Sequence, residues 1–174
     1  MTAEIFNANV RQLTFSSMRT YLFAIVFVAG NIVLPQLCHL VPDGGITWLP
    51  IYFFTLIAAY RYGWRVGVLT AVLSPVVNNL LFGMPSAGML PVILVKSGLL
   101  AVCASLIARK VSRVSLWAVA AAVVAYQSLG MLAEWAMTSS LAMALQDVRV
   151  GFPGILSQIV GGYIVLRLID RMRI

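Results

Sequence analysis

The sequence predicts an all-α integral membrane protein: about six transmembrane helices in one compact bundle, with both termini in the cytoplasm. Three observations carry that prediction. Of 174 residues, 61% are hydrophobic and only 10% charged, with a mean hydropathy of +0.98. A soluble domain is about half apolar and a quarter charged, and a chain this short cannot hide so much apolar surface in one water-soluble core. The apolar residues also fall into runs close to the ~20 residues that cross ~30 Å of hydrocarbon. Lastly, Lys and Arg gather at alternate connections between those runs, as cytoplasmic loops do. The net charge of +7 is therefore read as membrane orientation. A nucleic-acid partner is not expected, and disordered scaffolds and cytosolic enzymes fit poorly.

Residues 1–18 read as a cytoplasmic lead-in, with a short amphipathic helix over Ile5, Phe6, Val10 and Leu13. Residues 19–174 read as a single membrane domain. The first span covers about 20–40, interrupted by Asn31 and Pro35. No small-residue cleavage site follows it, so it is expected to be retained rather than removed as a signal peptide. After the turn Val41-Pro42-Asp43-Gly44-Gly45 comes a second span at about 46–60, closed by Arg61-Tyr62-Gly63-Trp64-Arg65. The third covers about 66–82 with Pro75 inside, and Gly83-Met84-Pro85-Ser86-Ala87-Gly88 leads to the fourth at about 89–108. Arg109, Lys110 and Arg113 precede the fifth, at about 116–137, and a longer connection precedes the sixth, at about 152–168. Cys38 and Cys103 form no CxxC motif and are expected as small buried hydrophobes.

With the basic ends inside, the scarce polar residues collect in the outer parts of the spans. They are His39, Trp48, Tyr52, Thr55, Ser74, Asn78, Asn79, Lys96, Ser97, Gln127, Glu134, Ser157 and Gln158. Polar groups are expensive in hydrocarbon and face the bundle interior or a wet cavity. Trp48, Tyr52 and Thr55 follow i, i+4, i+7 spacing, Ser74 and Asn78 are four apart, and Gln127, Met131 and Glu134 form another stripe. For any one of them, an aromatic belt or a helix–helix contact suffices. Taken together they predict a cavity open to the outside, with aromatic faces for a ring and polar groups for its edges. Lys96 lies deep in the fourth span and needs a partner, and Glu134 is the one acid expected within the membrane. Two readings stand side by side: a structural Lys96–Glu134 pair, or a grip on an anionic or zwitterionic ligand. The expected binding set is Lys96, Glu134, Asn78, Asn79, Tyr52, Trp48, Gln127, Asn31, Gln158 and His39.

His39 beside Cys38 has metal-binding chemistry, but no second histidine exists to complete a dedicated site, so no metal and no cofactor are expected. The chain carries no GxxxxGK[ST] phosphate loop, HExxH or GxSxG. An enzyme is not expected.

The stretch Leu49-Pro50-Ile51-Tyr52-Phe53-Phe54-Thr55, followed by Tyr62-Gly63-Trp64-Arg65-Val66-Gly67, Ser74-Pro75-Val76-Val77-Asn78-Asn79, Gly83-Met84-Pro85 and Leu90-Pro91-Val92-Ile93-Leu94-Val95-Lys96, together with the six-span layout, resembles the substrate-binding S component of energy-coupling factor transporters. The resemblance rests on layout and covers nearly the whole chain. It implies high-affinity capture of a vitamin or similar micronutrient, docking on a membrane scaffold subunit with two cytoplasmic ATPases, and residence in a bacterial inner membrane. It also implies lid loops, here around Pro42, Gly44 and Gly45 and around Met84 and Pro85. Docking through small residues of the first helix would fall to Ala24, Ala29 and Gly30, although Ala24 is followed at i+4 by Val28 rather than by alanine. The competing expectations are a small structural scaffold, whose polar residues serve helix contacts and which has no ligand-sized cavity, and, ranked last, a lipid-modifying enzyme.

Overall fold

Hydrocarbon offers no partner for a backbone N–H or C=O, so apolar runs of membrane length close their hydrogen bonds internally, as helices. A computed structural model of the chain describes residues 13–111 and 113–172. Its elements in order are α1 (Met18–Cys38), α2 (Gly44–Trp48), a 3-10 turn (Pro50–Tyr52), α3 (Phe53–Tyr62), α4 (Trp64–Phe82), α5 (Leu90–Lys110), α6 (Leu116–Thr138), α7 (Leu141–Ala144), α8 (Gln146–Arg149) and α9 (Phe152–Arg171). Helices α1, α4, α5, α6 and α9 have 19–23 residues and an apolar composition fit to cross a membrane, being roughly 28–35 Å long. The protein is an all-α, multi-pass membrane protein. Their surfaces agree: Met18, Leu80 and Trp117 are 77–82% exposed, and lipid is the solvent that tolerates such faces. The expected lead-in residues Ile5, Phe6 and Val10 lie outside the described residues.

Five of the expected spans appear within three residues of their expected limits. The second, expected as one helix over 46–60, is instead divided into α2, the 3-10 turn and α3. The break is at Leu49, in the left-handed region at φ 48°. Pro50 follows it; its ring bars the helical conformation from the preceding residue, and its missing N–H starts the next element. Trp48 and Tyr52 therefore do not share a helical face: Trp48 is 45% exposed and Tyr52 3%.

With 10 residues α3 is about 15 Å long, too short to span. It lies in the middle, packed on α1, α4, α5 and α9. Residues Leu56 to Tyr62 are all buried, as expected for a helix apolar almost all round. Gly63 ends α3 and begins α4 at φ 89°, a conformation that costs glycine nothing. One turn on, a Cβ on Gly67 would lie 2.5 Å from that of Ala59 and 3.2 Å from that of Ala101. Glycine there lets α4 approach α3 and α5 at backbone distance.

The chain alternates between two ends of the bundle. One holds Arg61, Arg65, Arg109, Lys110, Arg113, Arg167 and Arg171; there Arg61 Nη1 meets Asp170 Oδ1 at 3.3 Å, tying α3 to α9. The other holds the 39–43 and 83–89 loops and the α7–α8 segment. Cys38 and Cys103 are free thiols.

Gly67→Val is expected to destabilise the bundle by about 1–3 kcal/mol, the usual cost of overpacking. A lowered unfolding midpoint of the purified protein in detergent would register it; an unchanged midpoint would contradict the close approach.

Candidate functional site

The site begins with a defect in α1. Pro35 has no N–H, so the carbonyl of Asn31, four residues back, loses its helical donor. Asn78 of α4 supplies a replacement, its Nδ2 donating to Asn31 O and to Ser74 O, both at 2.9 Å. The Asn31 side chain then reaches the other way. Its Nδ2 donates to Thr55 Oγ1 at 2.9 Å and Ser74 Oγ at 3.1 Å, while its Oδ1 accepts from Phe54 N at 3.1 Å. This buried knot joins α1, α3 and α4. Asn31, expected in the binding set, has its amide committed to helix contacts.

Next to the knot lies a cavity of about 450 Å³, at the end of the bundle away from every described arginine but Arg149 of α8. Pro35 and His39 line it from α1; Gly45, Ile46, Pro50 and Ile51 line it from α2 and the 3-10 turn. Asn78 comes from α4, Ile93 from α5, and Met84, Pro85, Ser86 and Met89 from the loop between those helices. Met143 of α7 and Gln146 of α8 complete the wall. Local chemistry sets several of these. Gly44 sits so close to the Cys38 carbonyl that a side chain would collide with it, and this holds α2 against the end of α1. Asn79 Nδ2 donates to Pro85 O at 2.7 Å, fixing the 83–89 loop. The size is that of a small-molecule site, which falls at about 300–1,000 Å³.

Lys96 and Glu134 do not line this cavity. Lys96 Nζ lies 2.7 Å from Glu134 Oε2 and 2.6 Å from Asp147 Oδ2. The lysine and glutamate side chains are 3% and 4% exposed, the aspartate 15%. One cation thus serves two carboxylates, and the formal charges sum to −1. A Cβ on Gly130, one turn before Glu134, would lie 3.1 Å from Lys96 Cγ; glycine there lets the lysine stem lie along α6. Glu134 is therefore not the sole acid at this depth. Asp147 comes from α8, in a stretch that sequence alone marks only as a connection. Its only sequence signal is an acid in that connection, since Lys96 already has a one-to-one partner in Glu134.

Of the expected binding residues, the structure brings His39 and Asn78 to the cavity and leaves the others elsewhere. Tyr52 packs on Tyr126 with ring centroids 5.7 Å apart, and the Tyr126 hydroxyl donates to Gln158 Oε1 at 2.8 Å. Gln127 is 7% exposed and Gln158 fully buried; neither lines the cavity, nor do Trp48 and Asn79. Among the expected lid residues, Gly45, Met84 and Pro85 line it while Pro42 and Gly44 do not. Ser86 belongs to the 83–88 loop expected as a lid; missed were Pro35, Ile46, Pro50, Ile51, Met89, Ile93, Met143 and Gln146. Of the small residues expected for docking, Ala24 is in the core and Gly30 faces the Phe54 ring, where an added Cβ would lie at 2.8 Å. Ala29 is exposed.

Fold and cavity together define a multi-pass helical membrane protein with a small-molecule-sized cavity at one end of its bundle. No family model, curated protein or solved structure matches the chain.

Removing one member of a buried ion cluster strands its partners, at a cost of about 3–5 kcal/mol. Lys96→Met is expected to lower the unfolding midpoint strongly. Adding Glu134→Gln should recover most of the loss, because Asp147 can turn outward to water. Thermal unfolding of the single and double variants checks this; no recovery in the double variant would count against the cluster.

Proposed function

We propose that this chain is the substrate-binding S component of an energy-coupling factor importer, capturing a vitamin-like micronutrient from outside a bacterial inner membrane. The supporting observation is the cavity of about 450 Å³ at the end of the bundle opposite most of the basic residues, where Arg149 is the one arginine among the described residues. Cytoplasmic loops collect Lys and Arg, so that cavity faces out. On this reading the protein binds and delivers but does no chemistry of its own, and ATP is hydrolysed by two partner subunits docked through a membrane scaffold. Ala29 is then the small residue left on the outer face of α1 for that docking.

The α7–α8 segment acts as the cover in this reading. Met143 and Gln146 close the cavity from above, and Asp147 fastens the segment to Lys96 at 2.6 Å. The fastening is internal to the protein, so breaking it opens the cavity without dismantling the bundle.

One observation favours the alternative of a ligand-free scaffold: the Asn31 amide is committed to helix contacts. Purification from the native membrane separates the two. The importer reading expects a scaffold subunit and two ATPases to copurify, a small molecule to appear by native mass spectrometry, and a vitamin to stabilise the protein in a thermal screen. Finding none of these would favour the scaffold.

The cover is tested separately. In a chain carrying Cys38→Ser, Cys103→Ser and Ile93→Cys, Asp147→Asn is expected to speed labelling of the new thiol by a membrane-impermeant reagent about tenfold, equivalent to about 1.4 kcal/mol of latch. An equal rate in both backgrounds would show that α8 does not gate the cavity.

A further inference from the structure

We infer that the site takes an organic acid, its apolar body in the cavity and its carboxylate received by Arg149 at the mouth. The inference rests on the binding role proposed above and names the class of molecule bound.

The α7–α8 cover presents one continuous face to that molecule. The cavity and an adjoining hollow share two wall residues, Met143 and Gln146, and the hollow runs on along Ala142, Arg149 and Val150. Met143, Gln146 and Arg149 are spaced three apart, the interval that keeps side chains on one side of a helical segment. The apolar wall therefore leads directly to the guanidinium. Asp147, two residues before Arg149, projects about 200° round the helix from it and meets Lys96 instead. The short helix α8 gives its acid to the bundle and its arginine to the hollow.

Charge decides the class of ligand. Arg149 is exposed and has no ion pair among the described residues. No described residue lining the cavity or the hollow is Asp or Glu. The remaining titratable group on the cavity wall, His39, is either neutral or positive. Its ring lies against α2, where a Cβ on Gly45 would fall 2.5 Å from His39 Nε2. Lys96, the cation expected from sequence to grip an anion, already serves two carboxylates at 2.6 and 2.7 Å. A ligand anion would have to break that buried cluster to reach it, whereas Arg149 gives up no partner. Its planar fork of donors matches a carboxylate, and one guanidinium balances one negative charge rather than the two of a phosphate monoester. A ligand ammonium would meet Arg149 as a like charge. Ile46, Ile51, Met84, Met89 and Ile93 supply the apolar contact for the rest of the molecule.

Three probes test the charge: 4-phenylbutyrate, 4-phenylbutyramide and 4-phenylbutylammonium share a ring on a flexible linker and differ in its end group. Each is titrated to about 10 mM, a range suited to fragments, against the native full-length chain in lipid nanodiscs at neutral pH. The readout is the unfolding midpoint. The butyrate is expected to raise it at concentrations at least about fivefold lower than the other two, as for an ion pair at a solvent edge. In Arg149→Gln that advantage is expected to vanish while the butyramide response stays. The butyramide or the ammonium equalling the butyrate, or no response to any probe, would overturn the organic-acid assignment. An undiminished advantage in Arg149→Gln would overturn the role of Arg149. Copurifying ATPase partners without a butyrate preference would remove this ligand chemistry and leave the importer reading intact. Arg149-dependent butyrate binding without such partners would do the reverse.

Discussion

Pro35 brings no N–H to α1, so the Asn31 carbonyl accepts instead from Asn78 Nδ2 at 2.9 Å. In water such a carbonyl would be hydrated at little cost; within a membrane a protein donor must reach it. That requirement brings α4 against α1 at one height, and the same amide also bonds Ser74 O on its own helix. The Asn31 side chain, pointing into the gap so formed, ties down Thr55 and the Phe54 N–H of α3. Three helices are thereby held in register at the floor of the cavity. Because the Asn78 nitrogen is used in this way, its oxygen is left without a donor among the described residues.

Charge in the half of the bundle that holds the cavity is organised on a different principle. Lys96, Glu134 and Asp147 come from α5, α6 and α8 and satisfy one another. Two of them belong to long helices that lipid and packing hold in place. The third sits on a helix of four residues that packs on α9 and α7. The cluster therefore ties α8 to α5 and α6, beside the packing of α7 on α6.

The long helices were readable because hydrophobicity over about 20 residues is a one-dimensional property. The pairing of Lys96 with Glu134 was one of two readings the sequence left open, since a deep cation must find an acid and few were available. What failed depended on three-dimensional events. The Trp48–Tyr52–Thr55 stripe assumed a continuous helix, although Pro50 already stood in the sequence as the reason to end one at Leu49. Asp147 was hidden in a connection whose folding back onto α5 and α6 leaves no periodic trace. Asn31 was singled out as polar, and its four-residue spacing from Pro35 marked the carbonyl that would need a donor. The spacing alone does not name Asn78 as that donor. His39 and Asn78 do meet at the cavity, but through the loop packing of Gly44 on Cys38, which spacing does not express.

The short central helix has a consequence for how this chain can vary. Residues Thr55 to Tyr62 of α3 are enclosed by protein, so the bilayer does not screen them for hydrophobicity. Thr55 and Arg61 are buried in the same 10-residue helix as Leu56 and Ile57, each with a polar partner. What the neighbours do impose is volume, as the closeness of Gly67 and Gly162 to Ala59 and Leu56 shows. Along α3, then, polarity is negotiable wherever a partner stands opposite, and size is not; on the lipid-facing helices around it the tolerance runs the other way.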